Sequence, residues 1–231
     1  MPGPSIAIGV MAHNEARNVG RLLAKLRSVE IPDSAIRIIV VASGCSDDTV
    51  AVAQSAARQD PRVSVVVDPE RRGKAVAINQ FIGAAHGADL LVMESADTLP
   101  EAGTIAALVT RFADPRVGMV GAHPMPEDDE STFIGFANQL LWRLHHAVAS
   151  RSPKQGELVA WRNVVESLPA DSAVDEAYVE QLIIQRGYTL AYAPEAIVRN
   201  RGAATVRAFI LQRRRIHAGH RALSQEHNYR P

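Results

Sequence analysis

Several short stretches of the chain combine residue types and spacings that favour a definite chemistry. Glu94-Ser95-Ala96-Asp97 directly follows an apolar run. Glu94 and Asp97 are hard-oxygen donors, suited to a divalent cation such as Mg²⁺ or Mn²⁺. The alternation of a strand offers a second reading for Glu94, which turns it to the opposite face. Arg72-Gly73-Lys74 opens a helical stretch. Gly73 permits a close backbone approach and a helix N-terminus attracts anions, so Arg72 or Lys74 can meet phosphates. The plainer reading is two solvated charges beside a turn. Glu15, in His13-Asn14-Glu15, can accept hydrogen bonds from a ribose or a base. Alternatively, Asn14 caps the next helix with an acid in its first turn. In Gln212-Arg213-Arg214-Arg215-Ile216, residues 212, 215 and 216 share one helical face. By itself that is a basic helix lying on solvent or on a membrane surface.

These residues need elements to hold them. Residues 6–11 form a short apolar run, as for a strand covered on both faces. Residues 15–29 carry Val19, Leu22, Leu23, Leu26 and Val29 at helical spacing. Strands at 36–41, 63–67, 90–93 and 117–120 alternate with helices at 49–58, 73–85 and 100–112, the last entered through a proline. That rhythm means βαβ crossovers and a mostly parallel sheet. Ligands of such sheets bind beyond the carboxyl ends of the strands. The loops holding Glu15, residues 43–48, residues 68–74 and Asp97 lie there. After an acidic, irregular stretch at 124–131 the rhythm is lost. Helices are expected at 133–149, at 175–186 (ended by Gly187) and at 205–223, with strands at 157–161, 188–192 and 196–198.

Bulk properties narrow the class. The chain has 231 residues, 47% apolar and 22% charged, with formal net charge zero. That suits one globular domain and argues against a nucleic-acid binder, which shows a basic excess. Cys45 is the single cysteine, so no internal disulfide forms, which fits a reducing, cytoplasmic setting. No apolar run approaches the length of a transmembrane helix, about 18 residues. The first residues read as a strand rather than a signal peptide.

Taken in order, these stretches resemble family 2 glycosyltransferases of the GT-A fold, from about residue 4 to about residue 220. His13-Asn14-Glu15 matches a pocket-lining Asn-Glu pair. Val41-Ala42-Ser43-Gly44-Cys45-Ser46-Asp47-Asp48-Thr49 is similar to Val-Asp-Asp-Gly-Ser-x-Asp-x-Thr, with Ser43 where the base-contacting Asp stands. Ser43 can donate and accept, so uracil and guanine both remain open. Glu94-Ser95-Ala96-Asp97 resembles Asp-x-Asp with Ser95 in the first place, and Asn200 stands where the family carries a late His ligand. His217 and His220 are alternatives for that ligand. Gly156-Glu157-Leu158-Val159-Ala160-Trp161-Arg162 is similar to the acceptor-side strand. Asp175-Glu176 resembles the pair carrying the catalytic base, and Gln212 to Ile216 resembles Gln-x-x-Arg-Trp with Ile for Trp.

The resemblance implies a single GT-A domain over 1–231, with a nucleotide-sugar half at about 1–122 and an acceptor half at about 123–231. It implies inverting transfer from a nucleoside-diphosphate sugar to a sugar, lipid-linked or small-molecule acceptor. Asp175 or Glu176 is then the base. Asn14, Glu15, Ser43, Arg72, Lys74, Ser95, Gln212, Arg213 and Arg215 bind the donor, and Asp97, with Glu94, holds Mg²⁺ or Mn²⁺. Arg207, Arg213, Arg214, Arg215 and Arg221 are candidates for peripheral contact with anionic lipid. The alternative is a non-catalytic nucleotide-sugar or glycan-binding protein of the same fold. A nucleotidyltransferase or dehydrogenase is disfavoured, because no glycine-rich loop follows the first strand.

Overall fold

A computed structural model describes residues 3–170 and 175–227. The elements run β1 (Ile6–Ala12), α1 (Ala16–Arg27), β2 (Ile36–Ser43), α2 (Thr49–Gln59), β3 (Val63–Asp68), α3 (Lys74–Ala84), β4 (Leu90–Ser95), β5 (Leu99–Pro100) and α4 (Thr104–Thr110). They continue with β6 (Val117–Pro126), α5 (Phe133–Ala149), β7 (Val159–Arg162), α6 (Asp175–Gln185), β8 (Thr189–Asn200) and α7 (Val206–His227).

One eight-stranded sheet runs in the order β3-β2-β1-β4-β7-β6-β8-β5. β1 pairs in parallel with β2 and β4, β2 with β3, and β6 with β8. β7 runs antiparallel to both β4 and β6, and so stitches two parallel blocks together. The central strands are mostly apolar because helices cover both faces. One core lies under α1, α2 and α4, the other under α3 and α6. Val19, Leu22, Leu23 and Leu26 of α1 all face inward, as their spacing predicts.

The second face depends on a missing side chain. Gly9, in the middle of β1, lies under Phe81 of α3, and a Cβ there would meet the ring at 2.6 Å. Phe81 in turn sits edge-on to Trp161 of β7, with centroids 6.3 Å apart. Both aromatic side chains are fully buried.

Some boundaries differ from the sequence reading. The helix expected at 100–112 starts at Thr104, because Leu99–Pro100 form a short edge strand against β8. Proline lacks an amide hydrogen, so a sheet edge accommodates it. The two strands expected at 188–192 and 196–198 are one strand, β8, whose ladder with β6 is irregular at two points. The strand expected at 157–161 begins at Val159, and Glu157 stays in the loop before it. Among the described residues, no helix is long and apolar enough to cross a membrane.

Candidate active site

β1, β2, β3 and β4 end level with one another, since Ala12 pairs with Ala42, Ser43 with Asp68 and Met11 with Ser95. Their loops therefore converge on one edge of the sheet. β7 runs the other way, so its entry lies at that same edge. Met93 pairs with Val159, and extending that register sets Glu157 level with Ser95.

Two cavities open along this edge. The first, about 460 Å³, is lined by His13, Glu15, Ser43, Arg71, Ser95 and Asp97. The second, about 400 Å³, is walled by Trp142 and His145 of α5, Glu157, Glu176 of α6, and Gln212, Arg213 and Ile216 of α7. Lys74, Asp175 and Arg215 line both, and so form the partition between them.

In the first cavity, the Ser43 hydroxyl donates to the Glu70 carbonyl (3.2 Å), and His13 Nδ1 lies 2.8 Å from the Ser43 carbonyl. Burial, then the charges of Asp97 and Asp47, raises the Glu15 carboxyl above its ordinary range. Gly73 precedes α3 with φ +99°, a backbone form that L side chains rarely adopt. Lys74 then leads the helix and reaches Glu176, with Nζ 2.6 Å from Oε1.

Several expected ligands stand elsewhere. Asn14 does not line the cavity and does not cap α1. Its Oδ1 accepts from the Ser46 amide (2.8 Å), and its own φ of 55° turns the chain. Glu15 is the capping residue of α1, without a side-chain cap bond, and Asp47 Oδ2 accepts from the Ala16 amide instead (3.1 Å). Asp47 also accepts from the Thr49 amide (3.0 Å), which closes the turn into α2. Arg72 is drawn away to Asp68, which accepts from its Nη2 at 2.7 Å, and Arg71 lines the cavity in its place. Gln212 and Arg213 line the second cavity rather than the first.

Glu94 is a further correction. It is fully buried, its carboxyl shares the Thr98 hydroxyl with the Ser95 carbonyl, and its Oε2 has no partner. Burial pushes its carboxyl up to about 8, so it is neutral at pH 7 and lines neither cavity. Asp97 lines the first cavity alone among the two expected cation ligands. Among the described residues, no three His, Cys, Asp or Glu side chains gather into a group that could hold a metal ion.

The two carboxyls that open α6 differ sharply. Burial would raise Glu176, but the charge and hydrogen bond of Lys74 outweigh it and hold the group below its ordinary value. Asp175 is 5% exposed, and among the described residues its Oδ1 has no partner. Burial, then the charge of Glu176, pushes it up to about 6.

Arg71 and Glu157 were passed over in the sequence. Nothing in a loop without periodicity separates Arg71 from Arg72. Glu157 reaches the edge only because β7 is antiparallel. Burial pushes its carboxyl up to about 7, against the charge of Lys74, and Asn200 bonds to it.

Comparison with known proteins bears on the family and the fold. The profile described as Glycosyl transferase family 2 fits residues 7–163. Glycosyltransferase AglD of Haloferax volcanii is 30% identical over 112 residues, which is 47% of this chain and 18% of that protein. Beta-monoglucosyldiacylglycerol synthase of Synechocystis sp. is 27% identical over 124 residues, 51% of this chain and 25% of that one. The chain thus spans at most 39% of the length of the curated relatives it matches. Among solved structures, the mannosyltransferase PcManGT from Pyrobaculum calidifontis, in complex with GDP-Man and Mn²⁺, superposes with a TM-score of 0.76 at 26% identity. That match covers 99% of this chain and 66% of PcManGT. Glucosyl-3-phosphoglycerate synthase from Mycobacterium tuberculosis, in complex with Mn²⁺, UDP and phosphoglyceric acid, shares the fold with a TM-score of 0.65 at 20% identity. It is covered over 78% of its length and 96% of this chain.

Proposed function

Because this chain belongs to glycosyl transferase family 2, we propose that it moves a sugar from a nucleoside-diphosphate sugar to an acceptor hydroxyl, with inversion at the anomeric carbon. The donor occupies the first cavity and the acceptor the second. The observation that carries this reading is Asp175, a buried carboxylate in the partition between the two cavities, with an oxygen that has no partner among the described residues.

In this reading Asp175 takes the acceptor's hydroxyl proton as the oxygen bonds to the anomeric carbon. The bond from that carbon to the diphosphate breaks, and the nucleoside diphosphate leaves. A carboxylate near 6 is largely ionised at neutral pH yet still a useful proton acceptor. Glu176 is the less suitable base, because Lys74 holds it as an anion. Lys74, Arg71 and Arg215 supply positive charge at the first cavity, where the departing phosphates need it.

A divalent cation fits the first cavity in one manner. Hard cations such as Mg²⁺ are held by one or two carboxylates together with substrate phosphates and water. Asp97 is the carboxylate available, and the diphosphate supplies the remaining oxygens. Such an ion would neutralise charge on the leaving group. The Mn²⁺ in the solved relatives, with GDP-Man in one and UDP in the other, supports this reading. Both uracil and guanine suit a pocket whose base-side residue is Ser43.

The test is a thermal-shift screen of UDP, GDP, CDP and dTDP with and without Mn²⁺ or Mg²⁺, followed by donor turnover. Stabilisation by one diphosphate, dependent on the metal, with measurable transfer or donor hydrolysis, supports the reading. Stabilisation without turnover under any acceptor favours a binding protein of the same fold.

A further inference from the structure

Among the described residues, nothing covers the solvent side of the second cavity. Along α5, Phe133, Phe136, Leu140, Leu144 and Val148 recur every three or four residues and form one stripe. Each of them is between 42% and 75% exposed. The opposite side of the helix is anchored: Asn138 is buried and donates to the Ala203 carbonyl at 3.1 Å, just before α7. α7 repeats the pattern. Gln212, Arg213 and Ile216 face the cavity, while Val206, Ile210 and Leu211 are 45–55% exposed on its outward side.

The charges on that outward side are of one sign. Arg207, Arg214 and Arg221 are all exposed and interleave with the aliphatic residues. Residues 206–225 contain no aspartate or glutamate. Elsewhere the surface arginines are often paired: Arg27, Arg62, Arg111 and Arg116 each lie against a carboxylate. Among the described residues, Arg207, Arg214 and Arg221 take part in no ion pair. On the α7 part of this face a second copy would bring arginine against arginine, while at the start of α5 Glu130 pairs with Arg143. An anionic bilayer surface answers both features at once, because its headgroups meet the guanidiniums and its acyl boundary takes the aliphatic and aromatic side chains.

We propose that the outward faces of α5 and α7 form a peripheral membrane-binding surface for anionic phospholipid, seating the acceptor side of the molecule on the bilayer. Binding to lipid requires neither donor nor turnover, so it is tested apart from the transfer reading. Only the corollary, that the acceptor is carried in the membrane, rests on that reading.

The test is flotation of the 231-residue chain with vesicles of phosphatidylcholine alone, or of phosphatidylcholine with phosphatidylglycerol, without nucleotide. The chain should float with the anionic vesicles and release as salt is raised. Arg207→Gln, Arg214→Gln and Arg221→Gln combined should weaken partitioning by roughly a hundredfold. Phe133→Ser, Phe136→Ser and Leu144→Ser combined should abolish flotation while leaving the circular dichroism spectrum unchanged. No flotation with anionic vesicles overturns the proposal. So does equal binding to neutral and anionic vesicles, or wild-type binding by the arginine variant. A dimer in light scattering that the serine variant makes monomeric also overturns it, and assigns the face to a second copy.

Discussion

The two sides of the reaction edge are built differently. The first cavity stands on β1, β2 and β4, strands buried on both faces, so its floor is as rigid as the core. The second is walled by α5 and α7, which bury few of their own residues. Of the described residues on α7, Gly219 and Leu223 are buried, and Leu223 packs against Ala177 and Tyr178 of α6. A floor of strands can hold phosphate-binding groups in fixed geometry, while lightly packed helices are better suited to admitting a second substrate. Local stability follows buried apolar contact, so the acceptor wall should open more readily than the donor floor.

That contrast can be broken at its joint. Asp175→Asn should lower turnover by roughly 10²–10⁴-fold, while the thermal shift given by the nucleoside diphosphate persists. Loss of that shift would make Asp175 a structural part of the donor floor. The next largest effect separates the two walls by stability. Leu22→Ala, in the buried core beneath β1, should cost about 2–5 kcal/mol in urea unfolding. Leu211→Ala, on the exposed side of α7, should stay within about 0.5 kcal/mol. Equal costs would show that α7 is held as firmly as the sheet.

Smaller effects test the carboxylates within the floor. Asp97→Asn should remove the metal-dependent part of the nucleotide shift, and Glu94→Gln should keep it. Glu94 titrates at about 8 when folded against an ordinary 4.5. The unfolded chain therefore gives up this proton first, and the group's contribution to stability is lost as pH rises between those values. Glu94→Gln should remove that slope, as read from melting temperature against pH. The smallest effect is a displacement of the pH profile. Turnover should fall as pH drops through about 6, where Asp175 gains its proton. Glu176 raises this group, and Lys74 and Arg215 lower it. Lys74→Met should then move the acidic limb upward. A limb that stays in place would assign it to another group.

The sheet was legible because strands covered on both faces are mostly apolar, and βαβ connections leave their loops at one edge. That logic found Glu15, Ser43, Lys74, Ser95 and Asp97, all of which line the first cavity. Asp175 is given by the resemblance to family 2 glycosyltransferases, and periodicity places it only at the head of a helix. What escaped was decided by direction and by loop conformation. Glu94 follows the second of its two sequence readings, since strand alternation hides it from the cavity. Arg71 and Arg72 exchanged places because Asp68, at the end of β3, captures one of them. Glu157 could not be foreseen without knowing that β7 is reversed. Gln212 and Arg213 lie on the expected helix, yet the packing of α7 beside α5 and α6 turns them to the second cavity.

Gly9 carries a consequence that reaches beyond its own strand. Phe81 rests directly on its backbone, with Trp161 at the far edge of the ring. Lys74 heads the same helix about two turns earlier, roughly 10 Å along its axis. In mechanical terms position 9 is the bearing on which α3 is seated, and its thickness is that of a bare backbone. A methyl group there would stand 2.6 Å from the ring, so the helix would have to ride higher. A rigid helix transmits that lift to its first residue, and the clasp between Lys74 and Glu176 would be pulled apart from below. The alignment of the two cavities thus has a set point inside the core, two residues before Met11 at the lining of the first.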